Sequence, residues 1–460
     1  MILMKLYMKE RKNIEIDINS RLYFPEEITV KEINDGRYLC VSVRTANWIV
    51  ISNKVQKEML CNLIDGKTIQ EVSDAFPDDT DNLLNKLLSS IMARKFAALS
   101  KDDICIEMDD KSKYLNIYLT QACNLRCKHC FMLSGVKLEN ELTAGQWKNV
   151  LQDFKSIGGE YVTFTGGEAL MNPDFEDIVK YASSIGLSVT ILSNGVLWTD
   201  KLIDSLYGHV SEIQISLDGI NEQTNASVRG KGVFNKVVEN IIKIANRGYR
   251  TSVATTFTLE NLTEETKFLY SKLVNTIREK TSNPIFFKIS KKMLNGRNIH
   301  YTKEEAKRYF EEVIKIEREV DKYANTVNFM DGHQPNFVSS NCGIGGLSIS
   351  ADGKVYYCNR ISEVDCYGSI LDMPLSHFIE IGKDINKRTG VDNVEPCNKC
   401  YLRYICGGGC RIDDFNFKGR TKQFSEEIKR IKLTDKCMSY IEKKMIEGFD
   451  FIYDFNDCED

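Results

Sequence analysis

Three cysteines, Cys123, Cys127 and Cys130, stand in C-x3-C-x2-C spacing within the stretch TQACNLRCKHCFMLSG, directly after an apolar, β-rich run. Thiolates ligate soft metals, and an iron–sulfur cube normally takes four of them. Three on one tight loop leave one iron of a cube open to a small molecule. The same residues also admit a zinc site, completed by a distant ligand or by His129 between the last two thiols. A second thiol string runs Cys342, Cys358, Cys397, Cys400, Cys406, Cys410 and Cys437, with Gly353 in its first interval. Its spacing is C-x10-G-x4-C, then C-x2-C-x5-C-x3-C, then a final cysteine. The C-x2-C portion alone is compatible with a zinc knuckle. The region around it is irregular and Gly-rich, so metal cross-links are the expected staple. Cys40, Cys61, Cys105, Cys366 and Cys458 are expected in the core or on the surface.

These groups need elements to position them. From about 113 to 300, strand-like runs (YLNIYLT, YVTFTGG, LSVTILSNG, EIQISLDG, TSVATTFTL, PIFFKIS) alternate with amphipathic helical segments. Six such repeats predict an α/β fold with a parallel sheet, a partial (β/α)6 barrel. Chemistry in parallel α/β folds sits in loops beyond the C-terminal strand ends. The three thiols follow strand one, Gly166, Gly167 and Glu168 follow strand two, and Ser193 and Asn194 close strand three. Ser216 and Asp218 end strand four, and Arg229 comes shortly after. Taken singly, these positions read equally well as tight loops, a turn and a surface charge.

Upstream, EEITVKEI, RYLCVSV and NWIVIS read as strands, with Asp35-Gly36 as a hairpin turn. Ser52 is positioned to cap a helix, Thr68 and Glu71 form a capping box, and Leu83 to Met92 repeat at helical spacing. This predicts a winged-helix module over residues 1–100 and a polar linker over 101–112. The barrel takes 113–300, a charged bridging helix 301–339, the cysteine-dense domain 340–440, and a tail 441–460.

Composition narrows the function. The 460 residues carry a net charge of −4, so no basic field argues for nucleic acid. No apolar run approaches the ~20 residues that span a bilayer. MILMKLYMKERKN lacks a secretion cleavage pattern. The expected setting is cytoplasmic, where 15 cysteines bind metal or do chemistry rather than form disulfides.

The thiol loop after the first barrel strand resembles the radical SAM superfamily. That resemblance implies a [4Fe–4S] cluster on Cys123, Cys127 and Cys130, whose open iron takes the amine and carboxylate of S-adenosylmethionine. By the same likeness Gly166, Gly167 and Glu168 match the GGE motif, the glycines letting backbone approach the cofactor and the carboxylate receiving its ammonium. Ser193 and Asn194 would lie near the methionine moiety, Ser216 and Asp218 near the ribose, and Arg229 on the carboxylate. The seven-thiol string resembles the SPASM extension, implying two auxiliary [4Fe–4S] clusters and three in all. Cys397, Cys400, Cys406 and Cys437 would hold the second and Cys342, Cys358 and Cys410 the first. No thiol stands just before Cys342, so that cluster keeps an open iron or takes Cys366. Asn359 replaces the Asp that sulfatase-maturing relatives carry.

The N-terminal module resembles, in architecture, the PqqD-like precursor-recognition domain, which binds a leader peptide by strand addition. Together these imply a radical SAM peptide maturase acting on a precursor (leader plus core) peptide, with an electron donor such as flavodoxin or ferredoxin, and with neither nucleic acid nor membrane as partner. A thioether from Cys sulfur to carbon is the favoured product. Carbon–carbon crosslinking, epimerisation and formylglycine formation are the enzymatic alternatives, and an Fe–S winged-helix redox regulator the non-enzymatic one.

Overall fold

The structure is a computed structural model, and it describes residues 16–33, 35–320, 329–330, 332–414 and 435–453. Cys458 lies outside them. The N-terminal module opens with β1 (Ile28–Glu32), β2 (Tyr38–Ser42) and β3 (Asn47–Ile51), an antiparallel sheet in that order. Gly36, at φ 81°, supplies the left-handed turn between β1 and β2. Helices Lys54–Ile64, Ile69–Ala75 and Leu83–Ala93 follow. Thr68 and Glu71 form the expected capping box. The first helix, however, is capped by Asn53, which accepts from the Gln56 amide, while Ser52 one residue earlier donates to the Gln56 side chain.

The expected linker contains the short β4 (Glu107–Met108), which pairs with β11 (Phe337–Val338) far along the chain. Six parallel strands then build the barrel wall: β5 (Tyr114–Tyr118), β6 (Tyr161–Thr165), β7 (Ser188–Ser193), β8 (Glu212–Ser216), β9 (Arg250–Thr255) and β10 (Ile285–Ile289). Each neighbouring pair is parallel and in sequence order. Burial alternates along β6, β7 and β8. Val162, Phe164, Val189, Ile191, Ile213 and Ile215 are buried, whereas Thr163, Thr190 and Gln214 are half-buried. The alternation puts the apolar set under the helices and the polar set toward the lumen.

Beyond β5 the sheet continues into the cysteine-dense region. β12 (Leu347–Ile349) lies parallel to β5, and β13 (Val355–Tyr356) returns antiparallel to β12. Sequence pattern alone gave this region no sheet, because strands of two and three residues carry too little periodicity to read. The bridging helix runs Lys303–Val320. Helix Asp435–Tyr453 crosses the expected boundary at 440 and buries Met445 and Phe449 where a tail was expected. Among the described residues no helix is long and apolar enough to cross a membrane.

Candidate metal and cofactor site

The loop beyond β5 closes on itself before it presents its thiols. Cys123 N–H donates to the Gly135 carbonyl (3.2 Å), and Gly135 N–H to Gln121 (2.9 Å). The loop is pinned from outside by Lys128 N–H on Val228, and by Arg297 and Asn298 N–H on Cys130 and Lys128. A Cβ on Gly296 would lie 2.4 Å from the His129 backbone, so only glycine allows that approach. Cys123, Cys127 and Cys130 share a small apolar cluster with Leu125, Val196 and Val233.

Burial pushes the Cys127 thiol up to about 11 against the opposing charge of Arg229, and it raises Cys123 as well. Such thiols are poor nucleophiles by themselves, whereas a bound metal deprotonates them outright. Donors face Cys123 sulfur from Leu125 N–H (3.4 Å) and Asn194 Nδ2 (3.9 Å), the partners a ligating thiolate takes. Among the described residues no three His, Cys, Asp or Glu side chains converge on a point suited to one metal ion. Ligands of a cube bind separate irons and need no such convergence. Three soft thiol donors gathered on one loop, with N–H donors turned toward sulfur, have the chemistry a cube takes.

Glu168, 1% exposed, crosses from β6 to β7. Its Oε1 accepts from Ser193 Oγ (2.9 Å) and its Oε2 from Asn194 N–H (2.6 Å). Burial raises its carboxyl, and those two donors oppose the rise. Ser193 Oγ also accepts from Trp198 and Gly195, so it orients Glu168. Asn194 reaches the thiol loop through Asn124 (2.8 Å). The glycines permit a close approach within the protein itself. A Cβ on Gly166 would lie 2.5 Å from the Thr120 carbonyl and one on Gly167 2.3 Å from that of Ala122. The close approach they permit is to the stem of the thiol loop, which Gly167 and Glu168 N–H bond at Thr120 and Ala122.

Asp218 joins the loop to the neighbouring strand ends. It is fully buried, its Oδ1 accepts from Thr256 N–H (2.7 Å), and its Oδ2 meets both Arg229 Nε and His129 Nε2 at 2.6 Å. Burial works to raise this carboxyl, but the Arg229 guanidinium and His129 overcome it and hold it at about 2. With both oxygens engaged, Asp218 orients Arg229 and His129. Ser216 stays on the half-buried side of β8. Sequence reasoning weighed His129 only as a zinc ligand. Its partner is a carboxylate 89 positions away, which no local pattern reveals.

The seven C-terminal thiols sort into two groups. Cys397, Cys400, Cys406 and Cys437 line one small cavity with Leu402 and Met438. Burial raises Cys400, and Cys406, Cys397 and Cys437 raise it further. Cys358 is pushed up to about 11 by burial, with Cys342 and Cys410 adding to it. Cys366 sulfur donates to the Gly368 carbonyl and acts on Lys354 and Tyr356. None of the described cysteines is in a disulfide.

A turn of three positive-φ glycines, Gly407, Gly408 and Gly409, carries the chain from Cys406 to Cys410. Arg411, fully buried, clamps it by donating to the carbonyls of Thr389, Gly409 and Gly407. Sequence reading missed this arginine, since nothing local distinguishes it from a surface charge. Tyr118, at the end of β5, donates to the Asn359 carbonyl. A cavity of about 520 Å³ runs from Tyr114, Asn116 and Thr163 to Asn359 beside Cys358.

The N-terminal module docks on this assembly. Trp48 Nε1 donates to Met445 (3.0 Å), Lys31 pairs with Glu442 (2.7 Å), and Arg403 pairs with Glu27 (2.6 Å). Tyr401, next to Cys400, also donates to Glu442.

The chain is similar to known proteins over much of its length. The model of the Radical SAM superfamily matches residues 117–271. The sporulation killing factor maturation protein SkfB of Bacillus subtilis (strain 168) is 32% identical over 275 residues, 57% of this chain and 62% of that protein. The match thus spans less than two thirds of that relative's length. The AdoMet-dependent heme synthase of Methanosarcina barkeri (strain Fusaro / DSM 804) is 26% identical over 335 residues, 66% of this chain and 93% of that protein. A solved structure, described as native anSMEcpe with bound AdoMet, is 18% identical and superposes with a TM-score of 0.50, covering 74% of this chain and 98% of that one.

Proposed function

Because residues 117–271 form a radical SAM domain, a family that implies S-adenosylmethionine and a [4Fe–4S] cluster, we propose that the protein crosslinks a ribosomally made precursor peptide. The favoured bond joins a cysteine sulfur to a carbon. A bound, reduced cluster would supply the electron for reductive cleavage of S-adenosylmethionine, the radical chemistry that activates an unreactive carbon of the peptide. Cys123, Cys127 and Cys130 would hold that cluster. Glu168, oriented by Ser193 and Asn194, would receive the cofactor ammonium, and Arg229, oriented by Asp218, its carboxylate. Gly166 and Gly167 set the loop that carries Glu168. Ser216 is the candidate ribose contact.

The observation that carries the thioether reading is the grouping of Cys342, Cys358 and Cys410, with Cys366 directed to Gly368 instead. Three thiols on a first auxiliary cluster leave one iron for a substrate thiolate. Cys397, Cys400, Cys406 and Cys437 would close a second one. Ligation would deprotonate the peptide cysteine and bring its sulfur close to the reacting carbon. The relative whose name is a maturation protein supports a peptide substrate. β1, paired on one side with β2, offers an edge to which a leader peptide can add as a strand. Formylglycine formation is disfavoured by Asn359, which follows Cys358 where sulfatase-maturing relatives carry an Asp. An external one-electron donor, flavodoxin or ferredoxin in type, completes the set of partners.

The test is incubation of reduced holoenzyme with S-adenosylmethionine and a cysteine-bearing precursor. The expected product is lighter by two hydrogen atoms and has one fewer alkylatable thiol. A product with unchanged mass and inverted stereochemistry, or one losing hydrogen with every thiol still reactive, replaces the thioether by epimerisation or by a carbon–carbon bond. Turnover of a tetrapyrrole with the peptide untouched moves the protein to the reading that the heme synthase relative supports.

A further inference from the structure

Two of the three thiols assigned to the first auxiliary cluster receive donors from one residue. Arg360 N–H donates to Cys358 sulfur (3.4 Å), and Arg360 Nη1 donates to Cys410 sulfur (3.4 Å) and to Asp413 Oδ2 (2.8 Å). The side chain is 14% exposed, and it also pairs with Glu363. Asp413 is itself paired with Lys292, just beyond β10, so the chain Arg360–Asp413–Lys292 ties this thiol group to the end of the last barrel strand. Arg360 Nε is buried and has no hydrogen-bond acceptor among the described protein atoms. A buried guanidinium donor without an acceptor calls for an explanation.

We propose that Arg360 sets the reduction potential of the first auxiliary cluster, holding it above the value that its thiolates alone would give. The proposal rests on the assignment of Cys342, Cys358 and Cys410 as ligands. Reducing a cluster adds negative charge, and hydrogen bonds to sulfur together with a nearby cation stabilise the reduced form. Asp413 and Glu363 offset part of the guanidinium charge. Removing Arg360 would leave those carboxylates facing the cluster without it, so loss of the hydrogen bond and loss of the cation act in the same direction. Asp413 works in the opposite sense. Neutralising it withdraws a negative charge lying close to Cys410, leaving the cation less opposed.

The test is a potentiometric titration of the reconstituted holoenzyme, following the auxiliary-cluster signal by electron paramagnetic resonance. R360M is expected to shift the midpoint to lower potential, R360K to shift it less, and D413N to shift it upward. An R360M enzyme with full iron content and an unshifted midpoint overturns the proposal. Where R360M loads iron poorly, D413N decides, and a midpoint that stays put or falls overturns it. Failure of the ligand assignment has a separate signature. C410A would then retain all iron and every cluster signal, whatever Arg360 does.

Discussion

The barrel thiols and the C-terminal thiols reach the same kind of arrangement by opposite routes. Cys123, Cys127 and Cys130 lie on one loop, closed at its neck by backbone hydrogen bonds to Gly135 and Gln121 and standing on β5. The C-terminal groups gather Cys342, Cys358, Cys397, Cys400, Cys406, Cys410 and Cys437 from dispersed segments. Short loops lose little entropy on closing, so the barrel site is formed by the fold itself. The C-terminal groups are only as ordered as their joints, which are the β12–β13 hairpin, the glycine turn and the Arg411 clamp. One site uses the fold as its scaffold, whereas the others help to make the fold.

The largest expected effect separates the two directly. Replacing Cys123, Cys127 and Cys130 together by Ala should remove about four of about twelve irons, four per cube. It should abolish 5′-deoxyadenosine formation and leave the thermal transition nearly in place. The same treatment of Cys397, Cys400 and Cys406 should open the C-terminal region to limited proteolysis. Equal protease resistance in the two variants would erase the distinction.

Next come the buried arginines that serve each region. D218N strands Arg229 in the barrel without its counter-charge and should cost about 3–5 kcal/mol. R411M orphans carbonyls of the glycine turn and should cost about 1–3 kcal/mol. Denaturant titration measures both. The Asp218 value, about 2 when folded, lies below the ~3.9 of an unfolded Asp. Its stabilisation is therefore complete above pH ~4 and is lost as pH falls toward 2. The gap in stability between parent and D218N should hold constant from neutrality to about pH 4 and narrow below it.

A smaller effect tests the carboxylate between β6 and β7. E168Q removes a charged hydrogen-bonding partner and should weaken S-adenosylmethionine binding by roughly 1.5–3 kcal/mol, about 10- to 160-fold, by calorimetry. Smallest is D450A, which breaks the half-exposed Arg37–Asp450 pair between the N-terminal module and the C-terminal helix. It should cost under ~1 kcal/mol and fade with salt.

Legibility in the sequence followed the same division. The six barrel strands could be read because each is a five- or six-residue β-rich run with a helix after it, and the residues at their ends sit where those runs stop. Asp218 and the glycines could be located, but their contacts could not. What they touch (Arg229, His129 and the Thr120–Ala122 backbone) depends on how separate loops fold over one another. The hairpin β12–β13, the clamp at Arg411 and the docking of helix Asp435–Tyr453 on Trp48 were invisible. Each is a short or long-range feature whose signal exists only after packing.

That last docking contact has a consequence for biosynthesis. Trp48, fully buried, donates to a carbonyl 397 positions later in the chain, on the helix that begins two residues before Cys437. Translation at ~5–20 residues per second separates the two by roughly 20–80 s. For that interval the nascent module exposes an indole and its surrounding apolar surface with no helix to cover them.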